Sequence, residues 1–156
     1  MSQKINVGDK APDFELMKPD GTLFRLRDQL KDKNVVLYFY PKDNTPGCTK
    51  QACEFRDQYE VFKEHNAEVV GISSDSSASH ESFERSFQLP FTLLSDQQNK
   101  VRNLFGVPRK FGIIPGRVTY VIDKNGTVRY IFNSLTKPLE HVKNALEVLQ
   151  TINTAK

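Results

Sequence analysis

The chain has 156 residues, a length that favours one domain of ordinary size over residues 1–156. Hydrophobic residues make up 38% of it, so a core can form without help from metals or crosslinks. The 22 Lys and Arg residues exceed the 19 Asp and Glu residues by a formal charge of +3, and the basic residues are scattered. This pattern argues against nucleic-acid binding. No apolar run is long enough to cross a bilayer, so we expect no membrane partner.

The first residues carry no apolar signal segment, and a fold-like pattern begins almost at once. We therefore expect a cytoplasmic protein, while a mature organelle protein, such as a plastid protein without its transit peptide, would look the same. Only two cysteines are present, too few for a disulfide framework. In a reducing compartment, two close cysteines indicate redox chemistry or metal binding.

Strand-like and helix-like segments alternate along the chain, which predicts an α/β fold. The first feature is an N-terminal β-hairpin with strands at residues 14–17 and 22–26. The turn between them contains Pro19-Asp20-Gly21, in which Pro presets one φ angle and Gly accepts a positive φ.

The centre of the fold is predicted from residues 35–40, a continuous run of β-branched, aromatic and aliphatic side chains. Such a run is typical of a strand buried on both faces. A helix over 46–65 and a second buried strand over 67–73 would complete a βαβ crossover.

The remaining segments continue the alternation, with turn and cap signals between them. We expect a helix over 79–88 capped by Ser76, Ser77 or Ser79, a strand over 92–94, and a helix over 97–105 closed by Gly106. A hairpin of strands 118–122 and 128–132 should follow, with its turn at Asn125-Gly126. The last helix is predicted over 139–152, with Val142, Leu146 and Leu149 on one face. The order predicts a thioredoxin-like fold, a central mixed β-sheet flanked by helices.

The chemically informative segment lies where the strand at 35–40 leads into the helix that follows, a position where ligand sites of open α/β sheets occur. Thr45 is a good N-cap and Pro46 suits the first helical position, which places Cys48 in the first turn. Free N–H groups and the helix dipole stabilise an anion such as a thiolate there. Cys48 is therefore a candidate nucleophile, and Gly47 would leave the sulfur open to a substrate.

Cys53 follows five residues later in the same predicted helix. In an ideal helix this offset separates the two Cα atoms by about 8.5 Å, more than the roughly 7 Å that a disulfide tolerates. Two interpretations stay open. Either Cys53 is a packing residue, or the first helical turns unfold so that the two cysteines can join, which is the interpretation we favour.

These residues resemble the signature of the peroxiredoxins, in which Pro, Thr and Cys are spaced as Pro41, Thr45 and Cys48 are here. The longer run 41–49, with Cys53 after it, resembles the bacterioferritin comigratory protein or peroxiredoxin Q branch, in its plant and cyanobacterial form. The likeness extends over about residues 8–149 and includes the stretches 8–14, 70–73, 89–96 and 115–123.

The resemblance implies a role for five residues. Cys48 would be the peroxidatic cysteine and Cys53 the resolving one. Thr45 would hydrogen-bond the thiolate or the peroxide, Pro41 would shield the pocket from water, and Arg117 would hold the thiolate and stabilise charge on the departing oxygen. Many members carry Glu three residues after the peroxidatic cysteine. This chain has Gln51 there, which can bond an arginine but cannot offset its charge.

By the same resemblance, the protein would be a thiol-dependent peroxidase that acts in antioxidant defence. It would reduce hydrogen peroxide and organic hydroperoxides through a sulfenic acid and an intramolecular disulfide. Thioredoxin or a related dithiol would then reduce the disulfide. No metal or organic cofactor is implied, and the branch suggests a monomer.

Three other functions deserve comparison. A disulfide oxidoreductase on the same fold would need C-x-x-C, whereas four residues separate these cysteines. A metal-binding protein would need more ligands than two cysteines and three scattered histidines. A redox-sensing role could accompany peroxidase activity.

The sequence also offers three phenylalanines, Phe39, Phe91 and Phe111, that could line an apolar approach for organic hydroperoxides. A core position for these rings is the better prediction.

Overall fold

The computed structural model describes residues 5–110 and 114–154. In chain order these residues form β1 (Glu15–Met17), β2 (Leu23–Arg25), α1 (Leu26–Gln29), β3 (Asn34–Phe39), α2 (Pro46–Asp57), α3 (Tyr59–Glu64), β4 (Ala67–Ser73), α4 (Ser77–Phe87), β5 (Thr92–Ser95), α5 (Lys100–Phe105), β6 (Arg109–Lys110), β7 (Ile114–Pro115), β8 (Val118–Ile122), β9 (Val128–Asn133) and α6 (Pro138–Thr154).

Seven of the strands form one mixed sheet in the order β2-β1-β5-β4-β3-β8-β9. Strands β3, β4 and β5 are parallel to one another, and the other pairs are antiparallel. The predicted α/β class, the mixed sheet and the N-terminal hairpin are thus confirmed. The carboxyl ends of β3, β4 and β5 meet at one edge, where α2 begins.

Strand β3 is buried along its whole length because it contributes to two cores on opposite faces of the sheet. Val35, Leu37 and Phe39 belong to one core, to which α1 and α5 also contribute. Val36 and Tyr38 belong to the other, together with side chains of α2, α3, α4 and α6. Both faces of β3 are therefore dry, which explains why its sequence lacks polar alternation.

The two hairpin turns form as their sequences predict. Gly21 and Gly126 both adopt positive φ, at 89° and 82°. Asp20 accepts a hydrogen bond from the Thr22 N–H, and Asp123 accepts from the Asn125 and Thr127 N–H groups. These side chains close the turns locally, so the turn residues are specified by nearby sequence.

Two predicted helices differ from those observed. The helix expected over 46–65 is interrupted at Gln58, whose φ and ψ of −99° and 4° leave the helical region, so α2 and α3 are separate. The helix expected from residue 97 begins only at Lys100, because Asn99 adopts a positive φ of 58°. The Asp96 carboxylate then accepts from the Val101 and Arg102 N–H groups and takes over the capping role.

The other helices agree closely with prediction. Ser76 caps α4 by accepting from the Ser79 N–H at 3.1 Å. In α6, Val142 and Leu149 are buried on the predicted face and Leu146 packs partly against the same core. The short helix α1 and the two-stranded β6–β7 sheet were not predicted. No helix in the described part of the chain is long and apolar enough to span a membrane. A single domain over residues 1–156 stays a prediction.

Candidate active site

The predicted nucleophile lies at the start of α2, directly after the loop that follows β3. Pro46 is the first residue of α2, and the Thr49 N–H closes the first helical turn onto the Thr45 carbonyl at 2.8 Å. The Cys48 N–H lies within this turn, where helix geometry provides no intrahelical acceptor. The side chain of Cys48 is buried, at 1% exposure, against Ala52 and Phe55 of the same helix face.

Thr45 occupies the N-cap position but does not cap the helix with its side chain. Its backbone is extended, as an N-cap requires, and its hydroxyl instead donates to the Lys42 carbonyl at 2.8 Å. The hydroxyl proton is therefore engaged within the loop, while the oxygen lone pairs stay free to accept a hydrogen bond. Pro41, at the start of this loop, is half-buried.

Arg117 lies against the first turn of α2, although it stands 69 positions after Cys48 in the sequence. A Cβ atom added at Gly47 would stand 3.0 Å from Arg117 Nη2, so glycine provides the space for the guanidinium. The Arg117 guanidinium therefore occupies the space beside Gly47 that the sequence predicts to be open to a substrate. The guanidinium is buried and also donates through Nε to the Leu135 carbonyl at 3.2 Å.

Gln51 is the direct side-chain partner of Arg117. Arg117 Nη1 donates to Gln51 Oε1 at 2.6 Å, and both residues are buried. Gln51 Nε2 is also buried and has no hydrogen-bond partner among the described residues. Because Gln51 follows Cys48 by one helical turn on the same buried face, a neutral amide takes the place where many relatives have a carboxylate.

Both cysteines are free thiols in this structure, and both lie in the continuous helix α2. Cys53 is half-buried, in contrast to the enclosed Cys48. A five-residue offset within an intact helix keeps the two Cα atoms beyond the reach of a disulfide. The structure thus corresponds to the helical, reduced state that the sequence predicts, and disulfide formation needs part of α2 to unfold.

A buried polar network beneath the site was not predicted. His80 Nδ1 lies 2.7 Å from Asp43 Oδ2, and His80 Nε2 lies 2.9 Å from the Leu94 carbonyl. The Tyr40 hydroxyl donates to Asp43 Oδ1 at 2.5 Å and the Ser79 hydroxyl donates to Asp43 Oδ2. The network fixes the loop between β3 and α2 onto α4. Asp43 and His80 are 37 residues apart, so only the tertiary structure brings them together.

One group of potential metal ligands occurs among the described residues, made of Asp43, Asp75 and His80, whose ligand atoms lie within 4.8 Å of one another. These atoms already bond within the protein. Asp75 Oδ2 accepts from the Ser73 hydroxyl and from the Asp43 N–H, in addition to the contacts of Asp43 and His80. The group is therefore explained as a hydrogen-bonded network that shapes the loop.

His141 is a second buried histidine, which supports the segment that holds Arg117. Its Nε2 lies 2.7 Å from the Ser134 carbonyl, and its Nδ1 lies 2.8 Å from the Thr119 hydroxyl. Desolvation, together with a smaller contribution from the nearby charge of Arg117, lowers the pKa of His141 to about 4. The imidazole is therefore neutral near pH 7, with Nε2 donating and Nδ1 accepting.

The other buried arginine, Arg102 of α5, was missed by sequence reasoning. It is 2% exposed, and its guanidinium bonds two backbone carbonyls beside the site. Its only sequence signal is its position between Val101 and Phe105, which both face the core. A solvated arginine on a helix explains the same pattern, so the sequence alone could not identify it.

The phenylalanines considered for a substrate approach do not share one surface. Phe39 packs against Phe105 and Tyr120 in one core, whereas Phe91 packs against Tyr38 and Phe55 in the other. The preferred core assignment of these two rings is therefore confirmed. Phe111 lies outside the described residues.

A buried cysteine in the first turn of a helix, at the carboxyl end of a parallel strand and close to a buried arginine, is the arrangement of a thiol-based redox enzyme. The model of the AhpC/TSA family matches residues 7–131, and the chain belongs to this family. Similar proteins are named peroxiredoxin Q, which makes the chain a thiol-dependent peroxidase of the peroxiredoxin type.

Two relatives illustrate this similarity. Chloroplastic peroxiredoxin Q of Arabidopsis thaliana is 55% identical over 148 residues, which cover 94% of this chain and 68% of the relative. Chloroplastic peroxiredoxin Q of Oryza sativa subsp. japonica is 53% identical over 150 residues, covering 96% of this chain and 69% of the relative. The recognition of the peroxiredoxin Q branch from the sequence is confirmed.

Solved structures of the same branch confirm the thioredoxin-like fold. Peroxidoxin BcpB from Mycobacterium tuberculosis superposes with a TM-score of 0.89 at 41% identity, covering 95% of this chain and 98% of that one. A cysteine-to-serine mutant of PrxQ from Xylella fastidiosa gives a TM-score of 0.82 at 31% identity, covering 94% of this chain and 98% of that one.

Proposed function

We propose that Cys48 is the peroxidatic cysteine of this peroxidase. Its thiolate sulfur attacks one oxygen of the hydroperoxide, so that an S–O bond forms while the O–O bond breaks. The sulfur is oxidised to a sulfenic acid, and the departing oxygen takes a proton to leave as water or an alcohol. The observation that carries this assignment is the position of Cys48 in the first turn of α2, beside a buried arginine whose hydrogen bonds to described residues go to neutral acceptors.

We assign Cys53 as the resolving cysteine. After the first turns of α2 unfold, its thiolate attacks the sulfenic sulfur, an S–S bond forms, and the hydroxyl leaves as water once protonated. The half-buried position of Cys53 supports this role, because its sulfur needs less rearrangement than an enclosed one to become accessible. The oxidised protein therefore has a locally unfolded helix and one intramolecular disulfide.

Three further residues prepare the reaction in this proposal. Arg117 stabilises the thiolate and the charge that develops on the departing oxygen, because its guanidinium lies against the first turn of α2. Thr45 accepts a hydrogen bond from the peroxide, since its own proton is donated to Lys42. Half-buried Pro41 limits the access of water to the loop.

The family implies a hydroperoxide substrate and a thioredoxin-type dithiol as the reductant. We further propose that the protein acts as a monomer and needs neither nucleic acid nor a membrane. Sedimentation equilibrium of the reduced and oxidised forms tests whether the protein is a monomer, and a mass above one chain contradicts this proposal.

For the location we favour the plastid over the cytoplasm, because the relatives compared above are named chloroplastic. A fluorescent fusion of the full gene product tests this.

The decisive experiment adds peroxide to the reduced protein and follows free thiols and mass in wild type, Cys48→Ser and Cys53→Ser. We expect wild type to lose both thiols with a mass loss of two hydrogens. Cys53→Ser should stop at an oxidised Cys48, and Cys48→Ser should not react. If Cys48→Ser consumes peroxide as fast as wild type, the assignment of the nucleophile is wrong.

A further inference from the structure

Arg102 is an arginine whose burial demands an explanation. The guanidinium lies over the ring of Phe39 at 5.7 Å, and no ion pair between described residues includes it. Desolvation lowers the pKa of Arg102 to about 10, which still leaves it charged at pH 7. The Asp96 carboxylate favours the charged form of Arg102 without forming an ion pair with it among the described residues, and offsets only part of the cost of burial. The hydrogen bonds of the guanidinium are therefore the contacts that a neutral side chain would not reproduce.

Within the described part of the chain, the Arg102 guanidinium donates to two backbone carbonyls that border the active site. Nη2 donates to the Tyr40 carbonyl at 2.8 Å, and Tyr40 directly precedes Pro41. Nη1 donates to the Gly116 carbonyl at 2.8 Å, and Gly116 directly precedes Arg117. One planar fork therefore joins the start of the Cys48 loop to the start of β8, two segments that are distant in sequence.

The segment around Gly116 has little freedom to move on its own. A Cβ atom at Gly116 would stand 2.4 Å from the Pro108 carbonyl oxygen, so the backbone is tightly packed there. On the other side of the fork, the Tyr40 N–H donates to the Ile72 carbonyl at 3.1 Å. Arg102 thus links two backbone segments that are each held by a further contact, and their relative position determines where Arg117 lies with respect to Cys48.

We propose that Arg102 is a positioning residue of the peroxidase reaction: its guanidinium holds the Pro41 loop and the Arg117 segment in register. Arg102 and Cys48 are both buried, so in this proposal the positive charge of the guanidinium favours the Cys48 thiolate with little screening by water. This inference rests on the proposed function of Cys48. It separates two contributions, the charge of the side chain and the fork that joins two carbonyls.

The two contributions can be separated with Arg102→Lys and Arg102→Met. Lysine keeps a positive charge but, as a point charge, cannot hold both carbonyls in the fixed geometry of a guanidinium, and methionine keeps neither property. Two rates are measured for each protein: alkylation of Cys48 by iodoacetamide in a Cys53→Ser background, and oxidation of Cys48 by hydrogen peroxide. The first reports the thiolate alone, and the second also needs the geometry around it.

We expect Arg102→Lys to be alkylated within about twofold of wild type but oxidised by peroxide about 10- to 100-fold more slowly, the loss that small misplacements cause. In Arg102→Met, both the alkylation and the peroxide oxidation of Cys48 should be slower than in wild type. Arg129→Met is the matched control, because Arg129 on β9 pairs with Asp123, away from the site. It should leave both rates unchanged.

The inference is overturned if both Arg102 variants melt earlier but oxidise Cys48 within twofold of wild type, since Arg102 would then only stabilise the fold. If Arg102→Met does not fold, Arg102→Lys carries the test. If wild-type Cys48 is alkylated but does not react with peroxide, the proposed function itself fails, and this outcome is read from wild type alone.

Discussion

The positive charge of the site comes from two buried guanidinium groups, those of Arg102 and Arg117. Both bond only neutral acceptors among the described residues, namely backbone carbonyls and the Gln51 amide. A carboxylate at either position would cancel part of this charge. The Asp96 carboxylate acts on the charge of Arg102, whereas in the proposed mechanism the Cys48 thiolate supplies the negative charge beside Arg117.

Substitution of Gln51 tests this balance. In Gln51→Glu, a carboxylate would pair with Arg117 and repel the thiolate of Cys48 one helical turn away. We therefore expect peroxide to oxidise Cys48 about tenfold more slowly, which corresponds to an increase of about 1.4 kcal/mol in the activation free energy. Stopped-flow oxidation of Cys48 measures this. Gln98→Glu adds the same charge at an exposed position and should react like wild type. Equal rates of Cys48 oxidation in Gln51→Glu and Gln98→Glu would show that the reaction does not need a neutral amide at position 51.

His141 makes a prediction about pH. Its folded pKa of about 4 lies below the unfolded value of about 6.5. The unfolded state therefore binds the proton first, and the contribution of neutral His141 to stability, present above pH 6.5, is lost as the pH falls toward 4. At pH 5 this loss is about 2 kcal/mol.

Urea unfolding of wild type and His141→Asn at pH 7.5 and pH 5 measures that contribution. The variant should be the less stable at pH 7.5, because its hydrogen bonds to Ser134 and Thr119 cannot both be kept. At pH 5 the difference in free energy of unfolding should narrow by about 2 kcal/mol. A difference that stays constant between the two pH values would contradict the shifted titration.

In the proposed mechanism, helix α2 must both hold the thiolate of Cys48 and release it. While folded, the helix places Cys48 in its first turn, where free N–H groups favour a thiolate, and it keeps Cys53 out of reach. The stability of these turns therefore opposes disulfide formation. A residue that weakens the helix without touching either sulfur should accelerate the second step of the reaction alone.

Lys50, exposed between the two cysteines, offers such a site. Glycine in a helix interior costs about 1 kcal/mol relative to alanine, which corresponds to about fivefold in an equilibrium constant. Lys50→Gly should thus form the disulfide about fivefold faster than Lys50→Ala, which removes the same charge. Rapid-quench mass spectrometry separates this phase from the initial oxidation, which should be equal in the two. Equal disulfide rates would mean that unfolding of α2 does not limit the step.

The elements with local signals were predictable. The β-branched run gave strand β3, and the Thr45-Pro46 pair gave the start of α2, because both depend on neighbouring residues. The break at Gln58 has no such signal. The Asp43–His80 pair and the bonds of Arg102 also escaped prediction, since each joins segments distant in sequence. Arg117 was found only through the family resemblance.

At the scale of the whole molecule, the sheet separates helix α2 from one of the two cores. The cluster that contains Val35, Leu37 and Phe39 lies across the sheet from α2. Strands β3, β4 and β8 pair over most of their length without help from α2. Unfolding at Cys48 therefore need not spread into the sheet.

Hydrogen exchange of the reduced and disulfide forms tests this separation. Amides of α2 should exchange at least about tenfold faster after oxidation, because their helical hydrogen bonds are lost, whereas amides of β3 and β4 should change little. Mass spectrometry of peptides resolves the two regions. A comparable loss of protection in β4 would show that the sheet depends on an intact α2.

The placement of both cysteines on one helix also sets a competition in time. In the proposed mechanism, a sulfenic acid on Cys48 meets either Cys53 or a second peroxide, which would convert it to a sulfinic acid. The first event waits only for a few helical turns to open, and helix–coil relaxation takes on the order of a microsecond in isolated helices. The second depends on peroxide concentration. If Cys48 and Cys53 act as proposed, their short spacing of five residues along the chain favours the disulfide over irreversible oxidation.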